Sequence, residues 1–191
     1  MEDTVLMDVP VQYENILEAT RGLSFNMNSD KYTGSLLKTL VASKIGGRIL
    51  ELGTGGGLAT SWILEGLDLQ AKLLTVENNA ALLGIAKQQL KDPRVEFILA
   101  DAYAWLKQYD GDKFDLIFAD AMPGKYDLFE ETLGLLKSGG FYIIDDMLPQ
   151  PNWPAGHAEK VDGFIEMLEL RNDLTLTKMN WSTGIIIVVK M

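Results

Sequence analysis

Arg48-Ile-Leu-Glu-Leu-Gly-Thr-Gly-Gly-Gly57 carries an apolar strand into an acid, Glu51, and then turns through glycines at 53, 55 and 57. Without a Cβ at those positions the backbone can bend tightly and approach a ligand closely. A helix starting near Leu58 then aims its free N–H groups at that ligand. The turn therefore reads as a nucleoside-binding one. A dinucleotide fingerprint needs G-x-G-x-x-G, and counted from Gly53 the sixth position is Leu58, so that fingerprint fails.

The 191 residues, 47% of them hydrophobic, suit one compact domain with a substantial core. Lys and Arg number 17 against 27 Asp and Glu, a net charge of −10. That balance argues against gripping a phosphate backbone, so no nucleic-acid partner is expected. An acidic surface favours a cationic ligand instead. With no cysteine there is no disulfide framework, thiolate nucleophile or sulfur-based zinc site. Met1–Pro10 carries Glu2, Asp3 and Asp8 rather than a basic-then-apolar leader, and no apolar run approaches a membrane span. A cytoplasmic protein with no membrane partner is the expectation.

Short apolar runs alternate with helical patterns almost throughout, the signature of a parallel sheet covered by helices. The strands are expected at Arg48–Leu52, Leu73–Glu77, Val95–Leu99, Asp115–Ala119, Phe141–Asp145, Leu174–Lys178 and Ile185–Lys190. Apolar stripes at helical spacing fall on Tyr32/Leu36/Leu37/Leu40/Val41, Tyr126/Phe129/Leu133/Leu136 and Val161/Phe164/Ile165/Leu168. Lys137-Ser138-Gly139-Gly140 reads as a helix stop. Only Met179–Gly184 separates the last two strands, which should pair as an antiparallel hairpin. Leu148–Gly156, with three prolines and Trp153, reads as a loop over the sheet edge.

Glu77 closes the second strand twenty residues after Gly57, where a carboxylate can accept two hydrogen bonds from ribose hydroxyls. Asp101 follows the third strand and can also cap the helix from Ala102 to Tyr109. Ligands of open α/β sheets sit outside the carboxyl ends of the strands. Glu51, Glu77, Asp101 and Asp120 all fall on that one rim.

Written as E-x-G-x-G-x-G, residues 51–57 resemble motif I of the class I S-adenosylmethionine (SAM)-dependent methyltransferases. The resemblance implies an α/β three-layer sandwich with a seven-stranded, mostly parallel, Rossmann-like sheet of order 3-2-1-4-5-7-6 and an antiparallel last strand. It assigns Glu51 to the amino group of the methionine moiety, Glu77 to the ribose, and Asp101 with the Ala102 backbone to the adenine. Gly53, Thr54, Gly55, Gly57, Asn78 and Asp120 complete the implied cofactor set. One departure is Ala59, where the family often has a hydroxyl residue for the methionine carboxylate; Thr60, Ser61 or groups near Gly34 would have to replace it.

Asp120 ends the fourth strand, and Asp145 and Asp146 follow the fifth. Neighbouring strands lie about 4.8 Å apart, so three carboxylates can converge. An all-oxygen set suits a hard cation such as Mg²⁺. Here the resemblance narrows to the cation-dependent catechol and caffeoyl-CoA O-methyltransferases, with Asp after strand four and Asp-Asn after strand five. Asp120 and Asp145 match, and Asp146 stands in place of Asn. The resemblance thus assigns Asp120, Asp145 and Asp146 to Mg²⁺ or another divalent cation. The family's base lysine lies three residues after the first Asp, where this chain has Pro123, so Lys125 is the candidate substitute. His157, the sole histidine, suits a base at neutral pH. Trp153 and Trp181 could flank an aromatic acceptor, although such residues also serve as packing.

The expectation is methyl transfer from SAM to an oxygen of a small-molecule acceptor, catechol-like if a metal assists. Asp120, Lys125 and His157 are the candidate catalytic residues. A metal-independent N- or O-methyltransferase, a non-catalytic SAM-binding protein and a nicotinamide-dependent oxidoreductase stay open as alternatives. One domain is expected over 1–191, with an extension over 1–29 and a catalytic core over 30–191. A homodimer is the assembly left open.

Overall fold

The computed structural model describes residues 9–151 and 153–191; Met1–Asp8, which carry most of the acidic start noted above, lie outside the described residues. Two helices, α1 (Tyr13–Gly22) and α2 (Lys31–Ala42), precede the first strand. Strands β1 (Arg48–Leu52), β2 (Lys72–Glu77), β3 (Val95–Leu99), β4 (Phe114–Ala119) and β5 (Leu136–Ile144) then alternate with helices α3 (Leu58–Gly66), α4 (Ala80–Gln89), α5 (Ala102–Gln108) and α6 (Phe129–Gly134). After α7 (His157–Glu169) come β6 (Leu174–Met179) and β7 (Ile185–Lys190). The sheet order is β3-β2-β1-β4-β5-β7-β6. Only β7 runs antiparallel, pairing Tyr142 with Val188 on β5 and Leu176 with Val188 on β6. The seven strands, their order and the terminal hairpin agree with the sequence reading.

Alternation along β1 divides the core. Leu50 and Leu52 face the layer of α5, α6 and α7, meeting Leu106, Phe129, Leu133, Phe164 and Leu168. Ile49 faces the opposite layer, with Tyr13 and Ile16 of α1, Leu37 and Val41 of α2, and Trp62 and Ile63 of α3. Fully burying an aliphatic side chain of this kind contributes about 1.5–3 kcal/mol. Ile16, Leu37, Ile49, Leu50 and Leu52 are all fully buried. Residues 13–22, set apart from the core in the sequence reading, are thus packed into it through Tyr13 and Ile16.

The helix expected around Tyr126–Leu136 is shorter, and Lys137–Gly140 is not a stop signal. Leu136 already pairs with Phe114, while the next pair is Leu116 with Phe141. Residues 137–140 therefore bulge out of β5, with Gly139 at φ +74°. A glycine pair that would end a helix serves equally to kink a strand. Among the described residues, no helix is long and apolar enough to cross a membrane.

Candidate active site

All parallel strands end on one rim, and a cavity of about 520 Å³ opens there. Its floor is the turn after β1, where Gly53, Gly55 and Gly57 take φ of +99°, +52° and +95°. These values lie in the left-handed region that costs side-chain-bearing residues most. The three glycines do different work. A Cβ on Gly53 would sit 2.5 Å from the Asp120 carbonyl oxygen, so the β1 turn and the end of β4 can touch only because it is absent. Gly55 faces the cavity beneath the Phe25 ring. Gly57 is off the cavity wall, and a Cβ there would strike Ala86 and Leu90 at 2.9 Å. It therefore lets α3 begin against α4 and acts on any ligand only through that packing.

Glu77, at the end of β2, fixes this turn. Its Oε2 accepts the Gly55 N–H at 2.8 Å and its Oε1 accepts the Asn79 N–H at 2.8 Å. Each carboxylate oxygen has a second lone pair, so the group can still receive two hydroxyls from the cavity it lines. Asn78, Asp101 and Ala102 continue the wall. Asp101 Oδ1 also accepts the Ala104 N–H at 3.0 Å, so capping and wall-forming coexist in one side chain.

Glu51 lies elsewhere. Its side chain points away from Leu50 and Leu52 into the α3 layer, fully buried and outside the cavity lining. Oε2 accepts hydroxyls from Thr60 at 2.6 Å and Thr75 at 2.5 Å, while Oε1 is buried with no partner. Burial pushes this carboxyl up to about 7, against the opposing bonds from Thr60 and Thr75. Thr54 borders the cavity, with its hydroxyl shared with Thr75 at 2.5 Å. The suggested replacements for the missing hydroxyl at Ala59 are therefore occupied: Thr60 by Glu51, and Ser61 by the Leu58 carbonyl at 2.6 Å. Gly34 packs on the Trp62 ring.

The sequence reading missed the segment between α1 and α2. Phe25, Met27, Asn28 and Ser29 line the 520 Å³ cavity, and Ser29 Oγ donates to Asp120 Oδ2 at 3.3 Å. The one available signal was Asn28-Ser29-Asp30 ahead of the Tyr32 stripe. Asp30 caps α2 through the Tyr32 and Thr33 N–H groups, which holds the preceding residues over the rim. Asn79, Leu82 and Tyr103 also line the wall without having been expected.

A second cavity of about 310 Å³ adjoins the first at the ends of β4 and β5. Met27, Asn28, Ser29, Asp120, Ala121, Met122 and Asp146 belong to both walls. Its far side is aromatic. Trp153 packs on His157 with centroids 4.6 Å apart, and Tyr126 lies edge-on to His157 at 5.3 Å. His157 is the first residue of α7, with Nε2 3.5 Å from the Tyr126 hydroxyl. Trp181 is not on this wall; it packs on Tyr32 at 5.3 Å.

The three expected metal ligands, Asp120, Asp145 and Asp146, border the smaller cavity together, but their oxygens are largely engaged elsewhere. Asp145 Oδ1 is taken by the Thr183 hydroxyl and by the Asp146 N–H. Asp146 sits at φ +60° and reaches both cavities. The Lys125 ammonium donates to the Asp145 carbonyl at 2.8 Å and lies 3.5 Å from Asp120 Oδ1. Only 4% of Lys125 is exposed, so it belongs to the interior rather than the surface. Among the described residues, no group of three or more His, Cys, Asp or Glu side chains is arranged to hold a metal ion. As arranged, the set is not poised for a divalent cation: Asp145 Oδ1 is already used by Thr183 and Asp146, and the Lys125 ammonium bridges the Asp145 carbonyl and Asp120. Burial raises the Asp120 carboxyl well above its ordinary range; Lys125 opposes this, and Asp145 and Asp146 add to it. Burial likewise raises Asp145, against the Thr183 bond and Lys125.

Comparison with known proteins bears on this geometry. The family model described as O-methyltransferase matches residues 9–183. A Mycobacterium ulcerans protein named "Putative O-methyltransferase" is 29% identical over 143 residues, 70% of this chain and 64% of its own length. The matched region thus spans less than two thirds of that curated relative. The catechol O-methyltransferase of Mycobacterium tuberculosis is 28% identical over 120 residues, 60% of this chain and 54% of its own. The solved O-methyltransferase from Bacillus cereus in complex with SAH shares the fold, with a TM-score of 0.85 at 24% identity over 98% of this chain and 94% of that one.

Proposed function

The chain belongs to the O-methyltransferase family, and from that premise we propose that it transfers the methyl group of SAM to an oxygen of a small aromatic acceptor. The observation that carries the proposal is the pair of adjoining cavities. The larger, with the glycine turn and Glu77, suits a nucleoside; the smaller, with Trp153 and Tyr126, suits a flat ring; both share the Asp120 wall. Both volumes lie within the range of about 300–1,000 Å³ usual for small-molecule sites. In that arrangement sulfur, methyl and acceptor oxygen can line up across the shared wall. The reaction needs little beyond such alignment and the exclusion of water. The S–CH₃ bond breaks with its electron pair left on sulfur, the O–CH₃ bond forms, and the acceptor's proton passes to the Asp120 carboxylate and from there to solvent.

On this reading Gly53, Thr54, Gly55, Glu77, Asn78, Asp101 and Ala102 hold the cofactor and Asp120 stands at the junction. Glu51 and Gly57 serve from behind, through the packing of α3. Residues 9–29 act with the catalytic core as one unit, since Phe25–Ser29 supply part of both walls. Calorimetric titration of SAM, S-adenosylhomocysteine and NAD against the purified chain tests the cofactor assignment. The first two should bind and NAD should not; the reverse would overturn the reading. Methyl-labelled SAM incubated with a panel of phenols and 1,2-diols, with products identified by mass, tests the reaction itself.

A further inference from the structure

We infer that Lys125 is a resident cation that takes the place of the divalent ion, and that the acceptor is accordingly a phenol that needs no neighbouring hydroxyl. This rests on the methyltransferase reading for its substrate, though the cation part stands on geometry alone. Lys125 is held in place by a turn that leaves it little freedom. Gly124, at φ +90°, donates to the Asp127 carbonyl at 2.7 Å and accepts the hydroxyl of the fully buried Tyr142. A Cβ on Gly124 would lie 2.6 Å from Leu52 Cδ1, so the turn is pressed onto the end of β1. The lysine side chain is thereby sent inward, to the ends of β4 and β5, instead of out to solvent.

An ammonium has three donors. One meets the Asp145 carbonyl at 2.8 Å and a second points at Asp120 Oδ1 at 3.5 Å. Among the described residues nothing accepts the third, and Lys125 forms part of the acceptor-cavity wall. A phenolic oxygen entering that cavity is the partner the geometry leaves for it. A hydrogen bond from a fixed ammonium favours the oxyanion as the proton leaves, which is the effect a metal would otherwise supply. The two differ in what they demand of the acceptor. A chelated metal is best satisfied by two adjacent oxygens, whereas a single N–H donor requires one.

The test has a binding arm and a rate arm. Calorimetric titration of MgCl₂ into the wild-type chain should give no heat of binding up to about 1 mM, within the range of weak oxygen-donor sites. The Lys125→Met variant, with its carboxylates released, should bind Mg²⁺ more tightly than wild type does. A wild-type site tighter than about 1 mM overturns the inference whether or not any methyl transfer is seen. A SAM titration run alongside reports separately on the cofactor reading and on whether the variant is folded. In the rate arm, wild-type transfer to a monohydric phenol should be unchanged by EDTA and within about tenfold of transfer to the matching 1,2-diol. Lys125→Met should lower kcat about 100-fold, the usual effect of losing one oxyanion donor. Lys125→Arg, which cannot act as a base, should retain more activity than Lys125→Met. Abolition by EDTA, or a strict need for the diol, overturns the inference.

Discussion

The Gly55 amide donates to Glu77 Oε2 at 2.8 Å, so the turn after β1 and the end of β2 are one unit. Removing the carboxylate by Glu77→Ala should therefore do two things at once: free the turn and delete the acceptor proposed for the ribose. Hydrogen bonds to charged groups are worth about 1.5–3 kcal/mol each, so SAM affinity should fall at least tenfold. Calorimetry against wild type measures it; unchanged affinity would mean that the ribose binds elsewhere.

Gly53→Ala should damage the rim through backbone contact alone. Its Cβ would approach the Asp120 carbonyl to 2.5 Å from a residue already at φ +99°. Strain of this kind costs about 1–3 kcal/mol, and at this size each kcal/mol shifts Tm by about 2–4 °C. Thermal unfolding should show Tm lower by several degrees. The control Gly84→Ala, in open space on α4, should not lower it.

Glu51 makes stability depend on pH in a stated direction. Its folded pKa of about 7 lies above the ordinary 4.5, so the folded chain keeps a proton that the unfolded chain has lost. Stability from this group is accordingly full below about 4.5 and declines by about 3 kcal/mol as the pH rises to 7 and beyond. Glu51→Gln has no proton to lose. Its Tm should exceed that of wild type at pH 8 and the difference should shrink towards pH 5; a constant difference would refute the assignment.

His157→Gln should leave kcat within about tenfold, since loss of a true general base costs about 10²–10⁴. The imidazole is engaged by Trp153 and Tyr126 and forms the wall of the cavity. Trp153→Ala should instead raise KM for aromatic acceptors with little change for SAM. Steady-state kinetics with each substrate varied separates the two outcomes.

The sheet was legible because a short, largely buried apolar run such as Arg48–Leu52 or Phe114–Ala119 is a local property, written into five or six consecutive residues. The acids at the strand ends followed from it. What stayed hidden depended on contacts distant in the chain. Lys125 could be singled out only by its resemblance-based place after Asp120; that it is buried depends on Tyr142 pinning the turn before it. Glu51 reads as a ligand until Thr60 and Thr75 close over its carboxylate. Phe25–Ser29 carry no periodicity, and the Asn28-Ser29-Asp30 helix-start signal says where α2 begins but not that Met27–Ser29 border both cavities. Lys137–Gly140 misled for a different reason: paired glycines suit a helix end and a strand bulge alike, and only the pairing of Phe114 with Leu136 decides between them.

Met27, Asn28 and Ser29 border both cavities, whereas Gln150, Trp153, Pro154 and His157 border only the smaller one. The two sides are therefore unequal as places for change. If the cavities hold donor and acceptor as proposed, a substitution in the first segment alters the fit of both together, so any gain for a new acceptor is set against cofactor retention. The proline-rich segment carries no such linkage. On the proposed reading, it is where redesign for a new acceptor should begin.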